Sequence, residues 1–326
     1  MEDFLKITLD GKQPDIRNGE NKYLKWKWID EGIIYFKPYK YNDKAIIVSA
    51  GIHGNETAPI EIINQICTDL IKGNILLTSS LLVVLGNPYA MRIGKRFVDN
   101  DMNRMFCGGR VGLESTQETR RAEKIEQYVH QYIALLPSNT KIYHYDLHTA
   151  IRESILPTFA LLPFKRENYD SALLESLTEA RLNAVVFHNS AGKTFSSYTS
   201  DHFGAHSCTL ELGKARPFYE NNLEEFSATK NMLINFIMGK KSSNLIKERP
   251  RYFKVIHSII KINESFSLNL LESSPNFSVF KKNDIVYQQD GEKYMVESSE
   301  LSILFPNPNV KLGLRAGILV EEVNYD

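Results

Sequence analysis

The chain has 326 residues, with 39 basic and 39 acidic side chains and hence a formal net charge of zero. Hydrophobic residues make up 43% and charged residues 24%, the balance of an ordinary folded, water-soluble protein. No bulk charge attracts nucleic acid or a membrane, which leaves only a local basic pocket for an anionic small molecule. The length allows one large or two medium domains.

The opening stretch MEDFLKITLDGK is charged at positions 2, 3 and 6 and lacks the apolar core of a secretory signal. No segment approaches the roughly 18 uninterrupted apolar residues of a membrane span. Cys67, Cys107 and Cys208 are widely spaced and odd in number, a poor disulfide framework that fits a reducing compartment. The expected location is the cytoplasm; a homo-oligomer is left open.

In chain order, KAIIVSA (44–50) reads as a buried parallel strand, and Ile60, Ile63, Ile66, Cys67 and Leu70 follow at helical spacing over 57–73. SSLLVVLGN (79–87) is the next strand. A long polar segment leads to a helix in which Ser115 and Glu118 have capping-box spacing and Ala122, Ile125, Val129 and Ile133 form the apolar stripe. KIYHYDLH (141–148), TFALLP (158–163), NAVVFHN (183–189) and SCTLELG (207–213) are further strands, and a last helix runs from Asn222 to about Met238. Strands alternating with helices predict a mixed or mainly parallel sheet flanked by helices, with ligands bound beyond the strands' carboxyl ends. After the polar, basic stretch 239–251, short strand patterns dominate. The expected division is an α/β domain over 1–249 and a smaller β-rich unit over 250–326.

Three places carry chemistry. In SAGIHGNETAPIE, His53 and Glu56 lie in a Gly-bounded turn between a strand and a helix, where both side chains can point at one ion. His148 ends another strand, with Asp146 two residues earlier on the same face. Two histidines and a glutamate with a position open for water form a catalytic zinc arrangement. A hydrolase also needs a group that moves protons. Glu211 is a candidate, standing in the apolar strand CTLELG, although a solvent-facing glutamate on an edge strand would look the same. The stretch NPYAMRIGKRFVDNDMNRMF (87–106) holds Arg92, Lys95, Arg96 and Arg104, with Asn103 beside the last. It is either a solvated basic loop or an anion site, and a loop that long is uncommon in a compact domain unless functional. Single histidines such as His144, His188, His202, His206 and His257 read as turn or core residues.

GIHGNETAP, GNP, GKRFVDNDMNRMF, DLHTAIR, TLELGKARPF and LFPNPNVKLGLRAG occur in that order from one end of the chain to the other. Together they resemble the succinylglutamate desuccinylases, in the aspartoacylase branch of the zinc carboxypeptidase-like superfamily. The resemblance implies a zinc-carboxypeptidase-like mixed sheet flanked by helices, plus a C-terminal β domain. It implies one Zn2+ per subunit bound by His53, Glu56 and His148, with Glu211 as general base. It also implies that Arg96 polarises the scissile carbonyl, that Asn103 and Arg104 hold a substrate carboxylate, and that Arg152 is a further anion contact. The implied reaction is hydrolysis of N-succinyl-L-glutamate to succinate and L-glutamate, the last step of arginine breakdown through succinylated intermediates. A related zinc deacylase or carboxypeptidase acting on another N-acyl amino acid is the alternative.

Overall fold

The computed structural model describes residues 3–150, 152–240, 248–297 and 300–325. Residues 241–247, within the polar stretch expected between the two units, lie outside those described. The N-terminal elements are α1 (Phe4–Asp10), β1 (Asn18–Glu20), β2 (Leu24–Asp30) and β3 (Ile33–Pro38). There follow β4 (Lys44–Ala50), α2 (Thr57–Lys72), β5 (Ser80–Leu85), α3 (Pro88–Arg92), α4 (Gln117–Ala134) and β6 (Lys141–Ala150). Then come β7 (Thr158–Leu162), α5 (Ser171–Glu179), β8 (Ala184–Phe187), α6 (Phe195–Phe203), β9 (His206–Lys214) and α7 (Ser227–Ile237). The C-terminal unit holds β10 (Arg251–Ile260), β11 (Ser267–Leu268), β12 (Ser278–Phe280), β13 (Ile285–Gln289), β14 (Glu292–Met295), β15 (Leu301–Leu304) and β16 (Arg315–Val323).

Thirteen strands make one mixed sheet in the order β1-β2-β3-β5-β4-β6-β9-β7-β8-β10-β16-β15-β12, and β11-β13-β14 form a second small sheet. Strands β5, β4, β6 and β9 are mutually parallel. The direction reverses at β7, which pairs antiparallel with β9. The expected α/β sheet with helices on both faces is present, as is the β-rich C-terminal unit. A single sheet runs through both, because β8 pairs in parallel with β10.

The central strands are apolar on both sides because both sides are covered. Ile46, Val48 and Ala50 of β4 pack into one core with Ile60, Ile63 and Leu70 of α2 and Met232 of α7. Ala45 and Ile47 of the same strand face the other core, with Ala122, Ile125 and Val129 of α4. Each isoleucine, leucine, valine or methionine among them contributes about 1.5–3 kcal/mol on removal from water. The helix ends are local. Helix α2 stops at Gly73, whose φ of 74° is left-handed and lets its N–H return to the last turn.

Three expectations shift. The capping box of α4 is formed by Thr116 and Thr119, one residue later than the expected Ser115 and Glu118. Glu118 is instead fully buried, accepting hydrogen bonds from Val98 N, Asp99 N and Asn87 Nδ2, so it anchors the basic loop rather than the helix end. The last helix begins as a 3-10 turn over Leu223–Phe226 before Ser227–Ile237 becomes α-helical. The long basic segment is partly ordered by α3 and a 3-10 turn at Met102–Arg104.

Candidate metal centre

Strand β4 ends at Ala50, and Gly51 follows with a φ of 68° that a side chain would resist. Three residues on, Gly54 packs so tightly on α3 that a Cβ would lie 2.2 Å from the backbone of Ala90. These two glycines fold the turn back on itself and aim His53 and Glu56 at the same point. Glu56 occupies the N-cap position of α2, yet its side chain caps nothing there. The usual capping bond is forgone, and the carboxylate turns to the histidines instead.

His148, from the end of β6, reaches the same point. His53, Glu56 and His148 are all buried, with exposures of 3%, 2% and 2%. Glu56 Oε1 lies 2.8 Å from His53 Nδ1, Glu56 Oε2 lies 2.9 Å from His148 Nδ1, and the two Nδ1 atoms are 3.2 Å apart. The far nitrogens are held by carboxylates: His53 Nε2 is 2.9 Å from Asp101 Oδ1, and His148 Nε2 is 3.0 Å from Asp146 Oδ2. Inner nitrogens converging with a carboxylate, and outer nitrogens oriented by carboxylates, are the donor set of a zinc site with its supporting shell. The residues fit one such ion.

The clustered carboxylates and imidazoles stabilise one another's charged forms. Burial would raise Glu56, but the facing His53 and His148 more than offset it and lower its pKa. Burial would lower His148, but Asp146 and Glu56 outweigh it and hold the ring's pKa well above the ordinary range. Behind the site a buried polar chain continues. Ser49 Oγ donates to Asp146 Oδ1 at 2.6 Å and lies 2.8 Å from His144 Nε2, whose Nδ1 is 2.8 Å from Thr199 Oγ1. Burial lowers His144 to about 4, so at neutral pH it is an uncharged link in that chain.

Glu211 is the Cα partner of His148 across the parallel β6–β9 ladder, which brings its carboxyl beside the cluster. It is 9% exposed, not the solvent-facing residue of an edge strand. No hydrogen bond holds its carboxyl among the described residues. Burial first, opposed by His148 and reinforced by Glu56, raises its pKa to about 7.

Arg96 enters from the basic loop. Its Nη1 donates to Glu56 Oε1 at 2.8 Å, and its Nη2 is 3.8 Å from Asp101 Oδ2. Arg104 is more open, with its Nη2 3.9 Å from the same Asp101 oxygen. Asn103 is buried, and its Oδ1 accepts from Phe195 N at 2.9 Å, which leaves the amide NH2 free to donate. Arg152 turns to the C-terminal unit, donating from Nη1 to the carbonyl of Glu272 and, at 3.1 Å, to that of Ser274. Asp101 escaped the sequence reading. It sits inside the basic loop, where only its position two residues before Asn103 hinted at a role.

Fold and site together define the class: an α/β protein with a buried two-histidine, one-carboxylate centre beyond the carboxyl ends of its parallel strands. Residues 42–237 match the family model described as the succinylglutamate desuccinylase/aspartoacylase catalytic domain, and residues 248–323 match the AstE/AspA barrel-sandwich hybrid domain. The chain belongs to this family. It is 46% identical over 322 residues to the succinylglutamate desuccinylase of Serratia proteamaculans, covering 99% of this chain and 98% of that one. It is 44% identical over 320 residues to that of Yersinia pestis, covering 98% and 97%. Among solved structures, the succinylglutamate desuccinylase of Chromobacterium violaceum is 33% identical with a TM-score of 0.86, covering 99% and 98% of the two chains. The Vibrio parahaemolyticus protein is 28% identical with a TM-score of 0.93, covering 99% and 96%.

Proposed function

We propose that this protein hydrolyses the amide bond of N-succinyl-L-glutamate, releasing succinate and L-glutamate, with one Zn2+ per subunit held by His53, Glu56 and His148. The observation that carries the reading is a carboxyl with no hydrogen-bond partner among the described residues, that of Glu211, registered beside His148 of the His53–Glu56–His148 cluster. The ion, when bound, supplies Lewis acidity and brings the pKa of water down to about 7.

The remaining work belongs to the chain. Glu211 takes a proton from the attacking water and returns it to the nitrogen of the departing glutamate, so the same carboxyl serves as base and then acid. Arg96 faces the cluster with a planar fork of donors and stabilises the charge that develops on the carbonyl oxygen. The amide NH2 of Asn103 and the guanidinium of Arg104 hold a substrate carboxylate, and Arg152 offers its uncommitted nitrogens as a further anion contact. Succinylglutamate carries three carboxylates, which accounts for arginines where a peptidase would have an apolar pocket. This reaction closes arginine breakdown through succinylated intermediates.

The division at 249/250 into a catalytic and a β-rich unit is supported by the two family matches, which end at 237 and begin at 248. Among the described residues no helix is long and apolar enough to cross a membrane, and all three cysteines are free. We place the protein in the reducing cytoplasm. The test of substrate is kcat/KM for succinylglutamate, acetylaspartate and succinylornithine with purified enzyme. A clear preference for the first is expected; a preference for either of the others would move the assignment to a neighbouring deacylase.

A further inference from the structure

A second group of metal-ligating side chains lies just past the loop that carries Asn103 and Arg104. Cys107 Sγ, a carboxylate oxygen of Asp201 and a ring nitrogen of His202 all lie within 4.8 Å of one another. Asp201 and His202 are exposed near the C-terminal end of α6, and Cys107 is half-buried, so an ion could enter from solvent. The cluster is held in place by packing. Phe106 stacks on Phe195, the first residue of α6, with ring centres 4.9 Å apart, and its N–H donates to Lys193 O at 3.2 Å. The turn places Cys107 at a φ of 52°, a left-handed conformation that costs a non-glycine residue about 1 kcal/mol or more.

The local balance has too many acceptors. Glu126 Oε2 pairs with Arg110 Nη1 at 2.6 Å, but Glu126 Oε1 is buried with no hydrogen-bond partner. A thiol, a carboxylate and an imidazole this close together are donors that a cation able to displace the thiol proton can gather.

We propose that Cys107, Asp201 and His202 form a second, peripheral site for a divalent cation of the zinc or cadmium kind, separate from the His53–Glu56–His148 cluster. Thiolate and imidazole select such an ion over magnesium or calcium. Binding forms the metal–sulfur bond and releases the thiol proton to the buffer. An ion there would tie the segment following Asn103 and Arg104 to α6.

The test is a cadmium titration of the full chain with its first site already filled with zinc, read as thiolate-to-cadmium absorbance in the ultraviolet. Only Cys107 can give that signal in the folded protein, because Cys67 and Cys208 are fully buried and the first cluster contains no thiol. A band saturating near about one equivalent is expected. It should vanish in Cys107→Ser, and in His202→Ala its midpoint should move to cadmium concentrations about 10- to 100-fold higher, the cost of losing even an outer partner of a metal. His202 is exposed, so this variant keeps the fold if Cys107→Ser does not. Absence of the band in the wild-type protein, or a midpoint unmoved by His202→Ala, would overturn the site.

Discussion

The two halves of the thirteen-stranded sheet are built from the same kinds of side chain but carry different burdens. In the half formed by β5, β4, β6 and β9, all four strands point the same way, so their carboxyl ends open on one edge. His53 and Glu56 follow β4, the basic loop follows β5, His148 closes β6, and Glu211 lies near the end of β9. In the other half, β10, β16, β15 and β12 pair antiparallel, and their apolar residues fill cores around Phe253, Phe277 and Ile318. Candidate catalytic residues stop where the parallel run stops, at the β9–β7 boundary. Strand direction, more than composition, decides where chemistry can collect.

The largest effect that could break this contrast is at Glu211. Glu211→Gln should keep its zinc, measured by elemental analysis, while kcat falls about 100- to 10,000-fold, the usual worth of proton transfer. Near-wild-type turnover would remove Glu211 from the mechanism. In the other half, Phe277 is buried and meets Phe159 and Phe253 with ring centres 5.2 Å away in each case. Phe277→Ala should cost about 3–5 kcal/mol in denaturant unfolding and leave kcat/KM of the folded enzyme nearly unchanged. A selective loss of activity would give the β-rich half a share in the chemistry.

Smaller effects sharpen the picture of the metal centre. Asp146→Asn should weaken zinc binding about 10- to 100-fold in a competition with a chelator, since a neutral amide orients and polarises His148 less well. An unchanged affinity would reduce Asp146 to a core residue. The smallest effect concerns the metal-free protein. Glu211 has a folded pKa raised from 4.5 to about 7, so the folded state favours its protonated form. The stability held by the neutral carboxyl is fully present below about pH 4.5 and is lost as pH rises to about 7. Metal-free Glu211→Gln should therefore be more stable than wild type above pH 7, and the difference should shrink on acidification. A difference that is independent of pH would contradict the raised pKa.

Much of the candidate site was legible because its proposed ligands sit where strands end. Gly-bounded His53 and Glu56, and His148 closing KIYHYDLH, are marked as candidates by local pattern, and the family resemblance singles them out as a ligand set. Glu211 needed the register of β6 and β9, which no short window contains, to separate it from a solvent-facing strand residue. Asp101 was out of reach because its partner, His53, is 48 residues away and the loop between has no periodicity. The alternation in LKWKWID, with Leu24, Trp26 and Trp28 buried and Lys25 and Lys27 exposed, marks β2 clearly, yet β2 is not among the expected strands. The one-residue shift of the α4 capping box has a plain cause. Glu118 has the right spacing for a cap, but its carboxylate is drawn to three donors of the basic loop and Thr119 takes its place.

One assay tests the metal, the ligand cluster and the amide substrate together. Succinylglutamate hydrolysis by the purified protein should disappear when a chelator strips the metal and return when zinc is added back. Hydrolysis that persists after complete metal removal, or a zinc-loaded protein that leaves succinylglutamate intact, would contradict the proposed function.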